Sequence, residues 1–375
     1  MADDVQGFVA PGFEPVAEAF GAALAAGAEL GAGFAAEIEG ETVVELWGGW
    51  ADRGRTRPWA RDTLVPVFST TKPIAALTIA RQMDAGRLSL ETPIAALWPE
   101  FAAQGKGAVT VGQGLSHQAG VPGFPDPIDP GLWLDPPALG AALAALAPMW
   151  PPGTASGYHP LTYGYIAGEI ARRADPAGRT LGVQLQQDVC GPAGVDFRIG
   201  LPDAEHHRCA ELARPKEAPD LGPLTPDKRA AFLTPWAAPN RGTAEWRRAE
   251  IPSANGHGTA AATAALYGVF ANDGRMGGAE IVSRDTLAAF TRVQIAGPDR
   301  VLPFDLTWAA GIMVNTNAAY GPNRGAFGHS GWGGSCGLAD PDRRLSAAYV
   351  MNRQSNALMG DARAKALIGA LYGCL

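Results

Sequence analysis

Ser69-Thr70-Thr71-Lys72-Pro73, followed by the apolar run from Ile74 to Ala80, is the stretch of this sequence that indicates the fold. Proline is tolerated only near the start of a helix, so Pro73 predicts a helix that begins at about Ser69. Side chains three positions apart lie on one helix face, and the Lys72 nitrogen can therefore reach the Ser69 hydroxyl. The stretch predicts a serine at a helix start with a lysine beside it.

This pair has the chemistry of an acylation site. A serine hydroxyl is a weak nucleophile until a base takes its proton. Lys72 can be that base only if its pKa falls, and the apolar neighbours Val67 and Phe68 favour a lower pKa through desolvation. A helix start also stabilises a developing oxyanion. Ser69 is therefore the candidate nucleophile, and the alternative is a helix N-cap serine followed by a solvated lysine.

The composition is that of an ordinary globular protein. The chain has 375 residues, 47% hydrophobic and 18% charged, enough for one large fold or two interleaved lobes. Its net charge of −7 at pH 7 predicts neither nucleic acid nor an anionic membrane surface as a partner. The acidic N-terminus lacks a basic segment followed by an apolar one, so we expect no signal peptide and a cytoplasmic protein.

The cysteines and histidines do not suggest a metal centre. Four irregularly spaced cysteines form no C-x-x-C pair, which predicts free thiols: Cys190, Cys209, Cys336 and Cys374. His206 and His207 are adjacent and point apart in any regular structure, and no H-E-x-x-H motif is present. We therefore predict no metal and no cofactor.

Strand-like patterns at both ends enclose a helical middle. The division predicts an α/β lobe from residues 1–68 and 300–375, a mainly helical lobe from residues 69–299, and an active site between them. The predicted segments are helix Glu14–Leu30, strands Gly33–Ile38 and Thr42–Trp50, helices Ile74–Gly86, Pro137–Ala147, Thr162–Ala174 and Thr259–Asn272, strands Trp308–Val314, Gly325–Ser330, Ser335–Ala339 and Leu345–Met351, and helix Asp361–Leu371.

A tyrosine in a rigid loop is the candidate partner of the serine and lysine. Tyr158 follows the Gly/Pro-rich segment Trp150-Pro-Pro-Gly-Thr-Ala-Ser-Gly157. A nearby ammonium lowers the pKa of a phenol, so the tyrosine could take the serine proton and later give it to the leaving group. The sequence leaves open whether Tyr158, Tyr163 or Tyr165 has this role, and whether Lys72 or the tyrosine is the ionised base.

Gly328-His329-Ser330-Gly331-Trp332 lies at the end of a predicted strand. Its glycines allow the backbone to approach a substrate closely. A strand edge with a free N–H beside the nucleophile can supply an oxyanion donor, and the amide of Trp332 is the candidate. The alternative is a tight turn with a structural histidine.

Together these features resemble the serine β-lactamase and penicillin-recognising superfamily, specifically its class C-like branch, which includes the family VIII carboxylesterases. The resemblance also rests on the phrases Leu115-Ser-His-Gln-Ala-Gly-Val-Pro122 and Gly328-His-Ser-Gly331, and it covers roughly residues 15 to 372. It implies a β-lactamase-like α/β (α+β) fold, in which an antiparallel sheet flanked by helices carries an inserted, mainly helical lobe.

The resemblance also implies roles for individual residues. It makes Ser69 the nucleophile and Lys72 and Tyr158 the proton-transfer pair, and it forms the oxyanion hole from the backbone amides of Ser69 and Trp332. Where the family pattern usually has a lysine for the substrate carboxylate, this chain has His329. With an ordinary pKa of about 6.5, a histidine is protonated in about a quarter of molecules at pH 7.

A second departure concerns the tyrosine motif, which usually ends in an asparagine that holds an acyl-amide side chain. This chain has Pro160 there. Both departures favour esters over lactams or peptides. We therefore expect a serine hydrolase that cleaves short-chain carboxylic esters, with a small-molecule ester as its partner.

Further candidate substrate-binding residues come from loop position, aromatic composition and the Ser253-Ala254-Asn255 triplet, which is similar to the S-D-N motif. The full candidate set is His329, Gly331, Trp332, Phe124, Trp133, Trp236 and Asn255. The aromatic members could furnish an apolar acyl pocket.

Alternatives remain at this stage. The same acyl-enzyme could serve a β-lactamase, a D-alanyl peptidase or an acyltransferase, or the chain could be a non-catalytic ligand-binding relative. Gly333-Gly334-Ser335-Cys336-Gly337 also matches the G-x-S-x-G nucleophile elbow. That fold orders its triad serine, acid, histidine, but the last histidine, His329, precedes Ser335. We therefore interpret this segment as a Gly-rich turn.

Overall fold

A nine-stranded antiparallel sheet is the main element of the computed structural model, which describes residues 5–233 and 241–375. The strands are β1 (Gln6–Val9), β2 (Gly31–Ile38), β3 (Glu41–Gly49), β4 (Val65–Pro66), β5 (Phe197–Ile199), β6 (Gly256–Gly258), β7 (Arg275–Met276), β8 (Ala279–Glu280), β9 (Ile295–Pro298), β10 (Asp305–Trp308), β11 (Met313–Val314), β12 (Phe327–Ser330), β13 (Cys336–Asp340) and β14 (Leu345–Met351). The large sheet has the order β1-β3-β2-β14-β13-β12-β11-β10-β9, and β4, β6 and β5 form a second, small sheet.

The helices follow the same chain order and are most numerous in the middle of the sequence. They are α1 (Glu14–Ala25), α2 (Thr71–Asp84), α3 (Ile94–Leu97), α4 (Val111–Leu115), α5 (Pro136–Ala145), α6 (Thr162–Ala174), α7 (Leu181–Leu185), α8 (Gly191–Ala193), α9 (Pro226–Phe232), α10 (Ala244–Arg248), α11 (Ala260–Ala271), α12 (Arg284–Thr291) and α13 (Ala362–Gly373). None of the helices in the described ranges has the length and apolar character needed to cross a membrane.

Both faces of the large sheet are covered, and successive side chains along its strands enter the cores on opposite faces. Ala35, Ala348 and Val350 pack into the core that contains α11, whereas Phe34 and Tyr349 face the opposite core with α1 and α13. Side chains of successive residues in a strand point to opposite faces, so strands buried on both sides need apolar residues at nearly every position. The resulting antiparallel sheet flanked by helices confirms the predicted β-lactamase-like fold.

One predicted strand is divided in two. The segment Trp308–Val314 forms the end of β10, a tight connection and β11, instead of a single strand. The connection contains Gly311 at φ +73°, where an added Cβ would lie 2.3 Å from the Tyr163 hydroxyl oxygen. Only glycine combines this backbone conformation with this close approach, so the chain reverses there.

The predicted lobe boundaries remain a prediction. Two elements from the predicted helical lobe pack on the large sheet or form part of it. Helix α11, assigned to the helical lobe, packs directly on β14, β2 and β13. Strand β9, which ends before residue 300, pairs with β10 at the edge of the large sheet. The sheet-bearing part of the molecule therefore takes in segments on both sides of the predicted boundary.

Candidate active site

Ser69 lies in a single 3-10 turn, Phe68–Thr70, which leads directly into α2. The residue before it, Phe68, has φ +48°, a left-handed conformation that non-glycine residues seldom adopt. The Phe68 ring packs 6.1 Å from the ring of Trp246. The helix start predicted at about Ser69 is therefore present, and the turn before it presents the serine at the surface of a cavity.

Contacts from other elements hold this turn in place. The Tyr267 hydroxyl donates to the Thr70 carbonyl oxygen at 2.9 Å. Ser335 is buried, and its hydroxyl donates to the Val67 carbonyl oxygen at 2.6 Å. The serine of the G-x-S-x-G match thus lies in a turn between β12 and β13 and binds the backbone next to the candidate nucleophile.

Ser69, Lys72 and Tyr158 form a triangle of contacts. Lys72 Nζ lies 3.0 Å from Ser69 Oγ and 2.9 Å from the Tyr158 hydroxyl oxygen. The Tyr158 hydroxyl lies 2.6 Å from Ser69 Oγ. Every pair in the triangle is within hydrogen-bond distance, so a proton can pass between any two of the three groups.

Lys72 is fully buried, and burial lowers its pKa well below the ordinary value. Besides its two side-chain neighbours, its nitrogen donates to the carbonyl oxygens of Pro160 at 2.8 Å and Ser253 at 3.1 Å. A neutral amine has two N–H groups, which these carbonyls accept, and one lone pair, which is left for the Ser69 proton. The arrangement suits a lysine that acts as a base in its neutral form.

Tyr158 departs from the expectation that a neighbouring ammonium would lower its pKa. Burial raises the pKa of Tyr158 above the ordinary value, although the hydrogen bond with Ser69 acts in the opposite direction and the Asp299 charge adds to the increase. The sequence left open which of Lys72 and Tyr158 is the ionised base, and desolvation that outweighs the favourable contacts of the phenol favours Lys72. Tyr158 is the tyrosine in contact with the serine, whereas Tyr163 and Tyr165 direct their hydroxyls to backbone carbonyls of Lys72 and Trp133.

Asp299 positions the backbone of Tyr158. Its carboxylate accepts hydrogen bonds from the N–H of Tyr158 at 2.9 Å and from the N–H groups of Val301 and Leu302. The Trp308 indole also donates to it at 3.3 Å, and the Trp308 ring stacks 5.9 Å from that of Tyr158. Nothing in the sequence marked Asp299, since a lone aspartate before a strand has no motif.

His329 is buried at 1% exposure beside these rings, 5.9 Å from the ring of Tyr158. Burial, and then the charge of Lys72, lower its pKa to about 3. Partial protonation at pH 7 requires an ordinary pKa, whereas desolvation of the buried imidazole favours its neutral form. Its Nδ1 contacts the Ser330 carbonyl oxygen at 2.8 Å, and its Nε2 has no hydrogen-bond partner among the described residues.

The end of the strand after His329 packs closely against the turn that carries Ser69. An added Cβ at Gly331 would lie 2.4 Å from the Val67 carbonyl oxygen, so only glycine permits this approach. The next residue, Trp332, lines the cavity with Ser69. Its backbone N–H forms no hydrogen bond within the described part of the chain. This N–H remains the predicted second oxyanion donor.

The other predicted substrate-binding residues lie elsewhere. Phe124 and Trp133 are buried in the core with their rings 5.9 Å apart, and they are not part of the cavity wall at Ser69. Asn255 is fully buried, and its amide donates to the carbonyl oxygens of Trp246 and Ala249. These three side chains stabilise the fold around the site. Trp236 lies outside the described residues.

A cavity of about 770 Å³ opens beside Ser69 and Tyr158. Its wall is mainly apolar and includes Leu161, Phe232, Trp246, Met313, Trp332 and Leu358, with further residues from the loop 214–221. Sequence reasoning missed most of this wall. The long Pro-rich stretch around that loop was the available signal, because long loops in compact domains commonly form binding walls.

The described residues contain no group of three or more histidine, cysteine, aspartate or glutamate side chains able to hold a metal ion. Three of the cysteines, Cys190, Cys209 and Cys336, are buried, and burial raises the pKa of each thiol. Buried thiols with raised pKa values are poor nucleophiles.

The fold and the site together define a serine hydrolase with a β-lactamase fold. The model of the Beta-lactamase family matches residues 16–371, and the chain belongs to this family. The resemblance to the serine β-lactamase superfamily is thereby confirmed.

Individual relatives agree with this assignment. The Esterase/beta-lactamase LipL of Mycobacterium tuberculosis (strain ATCC 25618 / H37Rv) is 35% identical over 367 residues, which cover 93% of this chain and 83% of the relative. A penicillin-binding protein homologue from Caulobacter crescentus has 54% identity and a TM-score of 0.96, with 99% of this chain and 100% of that one covered. A family VIII carboxylesterase has 42% identity and a TM-score of 0.95 at the same coverage.

Proposed function

We propose that the protein is a carboxylesterase that cleaves short-chain esters of small molecules through an acyl-enzyme on Ser69. The observation that carries the proposal is the triangle of Ser69, Lys72 and Tyr158 at the wall of a mainly apolar cavity. An apolar cavity of this size binds the hydrocarbon parts of a small ester, while the triangle supplies the nucleophile and the proton transfers.

In the acylation step, Ser69 Oγ attacks the ester carbonyl carbon while its proton passes to the neutral amine of Lys72. The tetrahedral intermediate then collapses, and the bond to the alkoxy oxygen breaks. Tyr158, whose raised pKa keeps the phenol protonated, gives its proton to the departing alcohol and recovers one from the Lys72 ammonium. The step leaves Ser69 acylated and both partners in their starting forms.

Deacylation repeats the sequence with water as the nucleophile. The neutral amine of Lys72 takes the proton of the attacking water, and when the bond between Ser69 Oγ and the acyl carbon breaks, Tyr158 gives its proton to Ser69 Oγ and recovers one from the Lys72 ammonium. Ser69 thereby recovers its proton, and the acyl group leaves as a carboxylic acid. In both steps the amides of Ser69 and Trp332 are our candidates for binding the carbonyl oxygen when it becomes negative.

The choice of esters over β-lactams rests on the state of His329. A β-lactam carries a carboxylate beside the reacting carbonyl, and a fixed cation at this strand position would bind it. The buried, neutral imidazole of His329 does not provide that charge. The similarity to the Esterase/beta-lactamase LipL and to a family VIII carboxylesterase supports hydrolysis of esters.

Hydrolysis of p-nitrophenyl butyrate tests the proposal. We expect the wild type to release p-nitrophenol with saturation kinetics, and Ser69→Ala to lose this activity while it keeps the same thermal unfolding midpoint. Absence of turnover by the wild type would contradict the esterase proposal and would favour a ligand-binding relative.

A further inference from the structure

An arginine-rich cavity lies next to the cavity that contains Ser69. It has a volume of about 440 Å³, and its wall contains Arg53, Arg214, Arg241, Arg247 and one acidic residue, Glu211. Arg214 and Arg241 also line the cavity of the candidate active site. The two cavities therefore share a wall that carries two positive charges.

Among the described residues, three of the four arginines in this second cavity have no acidic partner. Glu211 is already engaged by Arg53, whose side chain donates to it at 2.6 Å. Arg214, Arg241 and Arg247 form no ion pair within the described residues. The segment 234–240, Thr-Pro-Trp-Ala-Ala-Pro-Asn, has no acidic residue that could provide one.

Arg241 packs against two residues beside the candidate reaction centre. Its guanidinium carbon lies 5.3 Å from the ring centre of Trp332 and 5.9 Å from that of Phe68, the residue before Ser69. Its Nε is buried without a hydrogen-bond partner in the described part of the chain. Burial, and then the charge of Arg214, lower the pKa of Arg241 to about 10, so the guanidinium remains charged at neutral pH.

Arg241 is half-buried with its Nε covered and without a hydrogen-bond partner among the described residues, and Arg214 beside it is exposed, so a bound anion would satisfy the buried N–H and be attracted by both charges. A carboxylate suits the position because guanidinium binds it through two parallel hydrogen bonds. We propose that Arg241, assisted by Arg214, binds a carboxylate carried by the ester substrate. The preferred substrates are then esters with a free carboxylate a short chain away from the reacting carbonyl, such as monoesters of dicarboxylic acids. This inference rests on the proposed esterase function.

The test compares esters that differ mainly in one charge. For the acyl side, p-nitrophenyl hemiglutarate is compared with p-nitrophenyl valerate, because the carboxylate of the first replaces the terminal methyl of the second. For the alcohol side, 4-carboxybenzyl butyrate is compared with benzyl butyrate. A charge-assisted bidentate contact predicts a kcat/KM at least about tenfold higher for the anionic ester in one of these pairs.

Variants identify the cation that causes this preference. Arg241→Gln should reduce the ratio of kcat/KM for the anionic ester to kcat/KM for the neutral ester to about one. Arg241→Lys should retain part of this preference, because a lysine keeps the positive charge but lacks the two parallel N–H groups of a guanidinium. Arg284→Gln is the matched control: this exposed arginine pairs with Asp273 and lines neither cavity, so the ratio should not change. No preference in either pair, or a preference that persists in Arg241→Gln, would overturn the inference.

Calorimetry separates failure of this inference from failure of the proposed function. Free glutarate is titrated into Ser69→Ala and into the Ser69→Ala, Arg241→Gln double variant, neither of which turns over ester. Binding by the first and its loss in the second support the carboxylate site even if no ester is hydrolysed. Absence of glutarate binding by Ser69→Ala, together with the absence of an ester preference, would overturn it.

Discussion

The hydroxyl of Tyr158 lies 2.6 Å from Ser69 Oγ, the shortest of the three contacts that join Ser69, Lys72 and Tyr158. Tyr158 belongs to the loop before α6, whereas Ser69 belongs to the turn before α2, so this contact joins two segments far apart in the chain. The Tyr158 hydroxyl donates this hydrogen bond, so the phenol is placed to give a proton at Ser69 Oγ.

Removal of the phenol should abolish most catalysis. We expect Tyr158→Phe to lower kcat by about a thousandfold, because proton transfer to the leaving alcohol is lost in the transition state. Tyr163→Phe is the matched control, since that hydroxyl contacts only the Lys72 carbonyl oxygen at 3.3 Å. Steady-state kinetics with p-nitrophenyl butyrate provide the measurement. A larger loss in Tyr163→Phe than in Tyr158→Phe would show that the tyrosine was assigned incorrectly.

Covalent labelling should locate the nucleophile. A fluorophosphonate should modify the peptide that contains Ser69, and mass spectrometry of a digest identifies the modified residue. Ser335 should remain unmodified because its hydroxyl is buried and bonded to the Val67 carbonyl oxygen. An adduct on Ser335 would contradict both the mechanism and the interpretation of the G-x-S-x-G match as a turn.

The sequence predicts contacts in this site well between residues that are close in the chain, and poorly between residues that are far apart in it. Ser69 and Lys72 are one helical turn apart, so local geometry alone predicts their contact. Tyr158 was one of three candidate tyrosines in the sequence, and its contact with Ser69 is a property of the tertiary fold. The strands were predicted well where apolar and polar residues alternate or where apolar residues are continuous. The prediction was less accurate at Gly311, where a reversal of the chain interrupts an apolar segment.

Burial explains why several residues lie or ionise differently from what the sequence suggested. The pKa of His329 depends on how many groups cover it, which no local pattern in the sequence specifies. Phe124 and Trp133 are aromatic residues in a loop region, and the same composition fits an acyl pocket and a core. Arg241 belongs to no motif, and its position beside Phe68 and Trp332 follows only from the packing of distant segments.

The pH dependence of kcat/KM should follow the ionisation of the Lys72 amine. Burial lowers the pKa of Lys72, and its neutral form is the proposed base, so activity is present above this pKa and is lost as the pH falls through it. Tyr158 has a raised pKa, so the phenol should not limit activity until strongly alkaline pH. The histidine at position 329, with a pKa of about 3, should add no inflection near its ordinary value.

The measurement is kcat/KM for p-nitrophenyl butyrate between about pH 5 and pH 10, the range in which these groups are distinguished. The variant His329→Gln serves as the control, because it replaces one neutral side chain with another. We expect the acid limb at the same pH in both proteins. An acid limb that shifts or disappears in His329→Gln would assign the titration to the histidine instead of Lys72.

Asp299 should affect catalysis indirectly, because it holds Tyr158 in position. In Asp299→Asn the amide oxygen can keep the three N–H groups that bind Oδ1, but the NH2 then replaces Oδ2 and faces the donor N–H of the Trp308 indole. We expect kcat to fall by about ten- to a hundredfold with little change in KM, because a small displacement of the phenol misaligns proton transfer. The stability cost should be about 1–3 kcal/mol from unsatisfied buried donors.

The control for this prediction is Asp175→Asn. Asp175 is also buried and pairs with Arg179, but it does not line the cavity at Ser69. We expect Asp175→Asn to lower the unfolding midpoint without the loss of kcat. Equal kcat for Asp299→Asn and the wild type would show that Asp299 stabilises the fold without positioning the tyrosine.

The last prediction concerns the preference for esters over β-lactams. His329 occupies the strand position where a cation would bind the carboxylate of a β-lactam, and its imidazole is neutral. The loss of a charge-assisted contact, worth about 1.5–3 kcal/mol, corresponds to about one to two decades of lactam turnover. Arg241 approaches the cavity from the side of Phe68 and Trp332, where we expect it to bind a carboxylate on a flexible chain but not the carboxylate fixed by the fused ring of a β-lactam.

The measurement is kcat/KM for p-nitrophenyl butyrate and for nitrocefin on one preparation of the wild type, His329→Lys and His329→Gln. We expect the wild type to prefer the ester strongly, and His329→Lys to gain on nitrocefin relative to the neutral His329→Gln, because only the lysine restores a cation. Nitrocefin turnover equal to that of the ester in the wild type would contradict the esterase proposal. Equal nitrocefin turnover by the two variants would show that the missing cation is not what limits lactam hydrolysis.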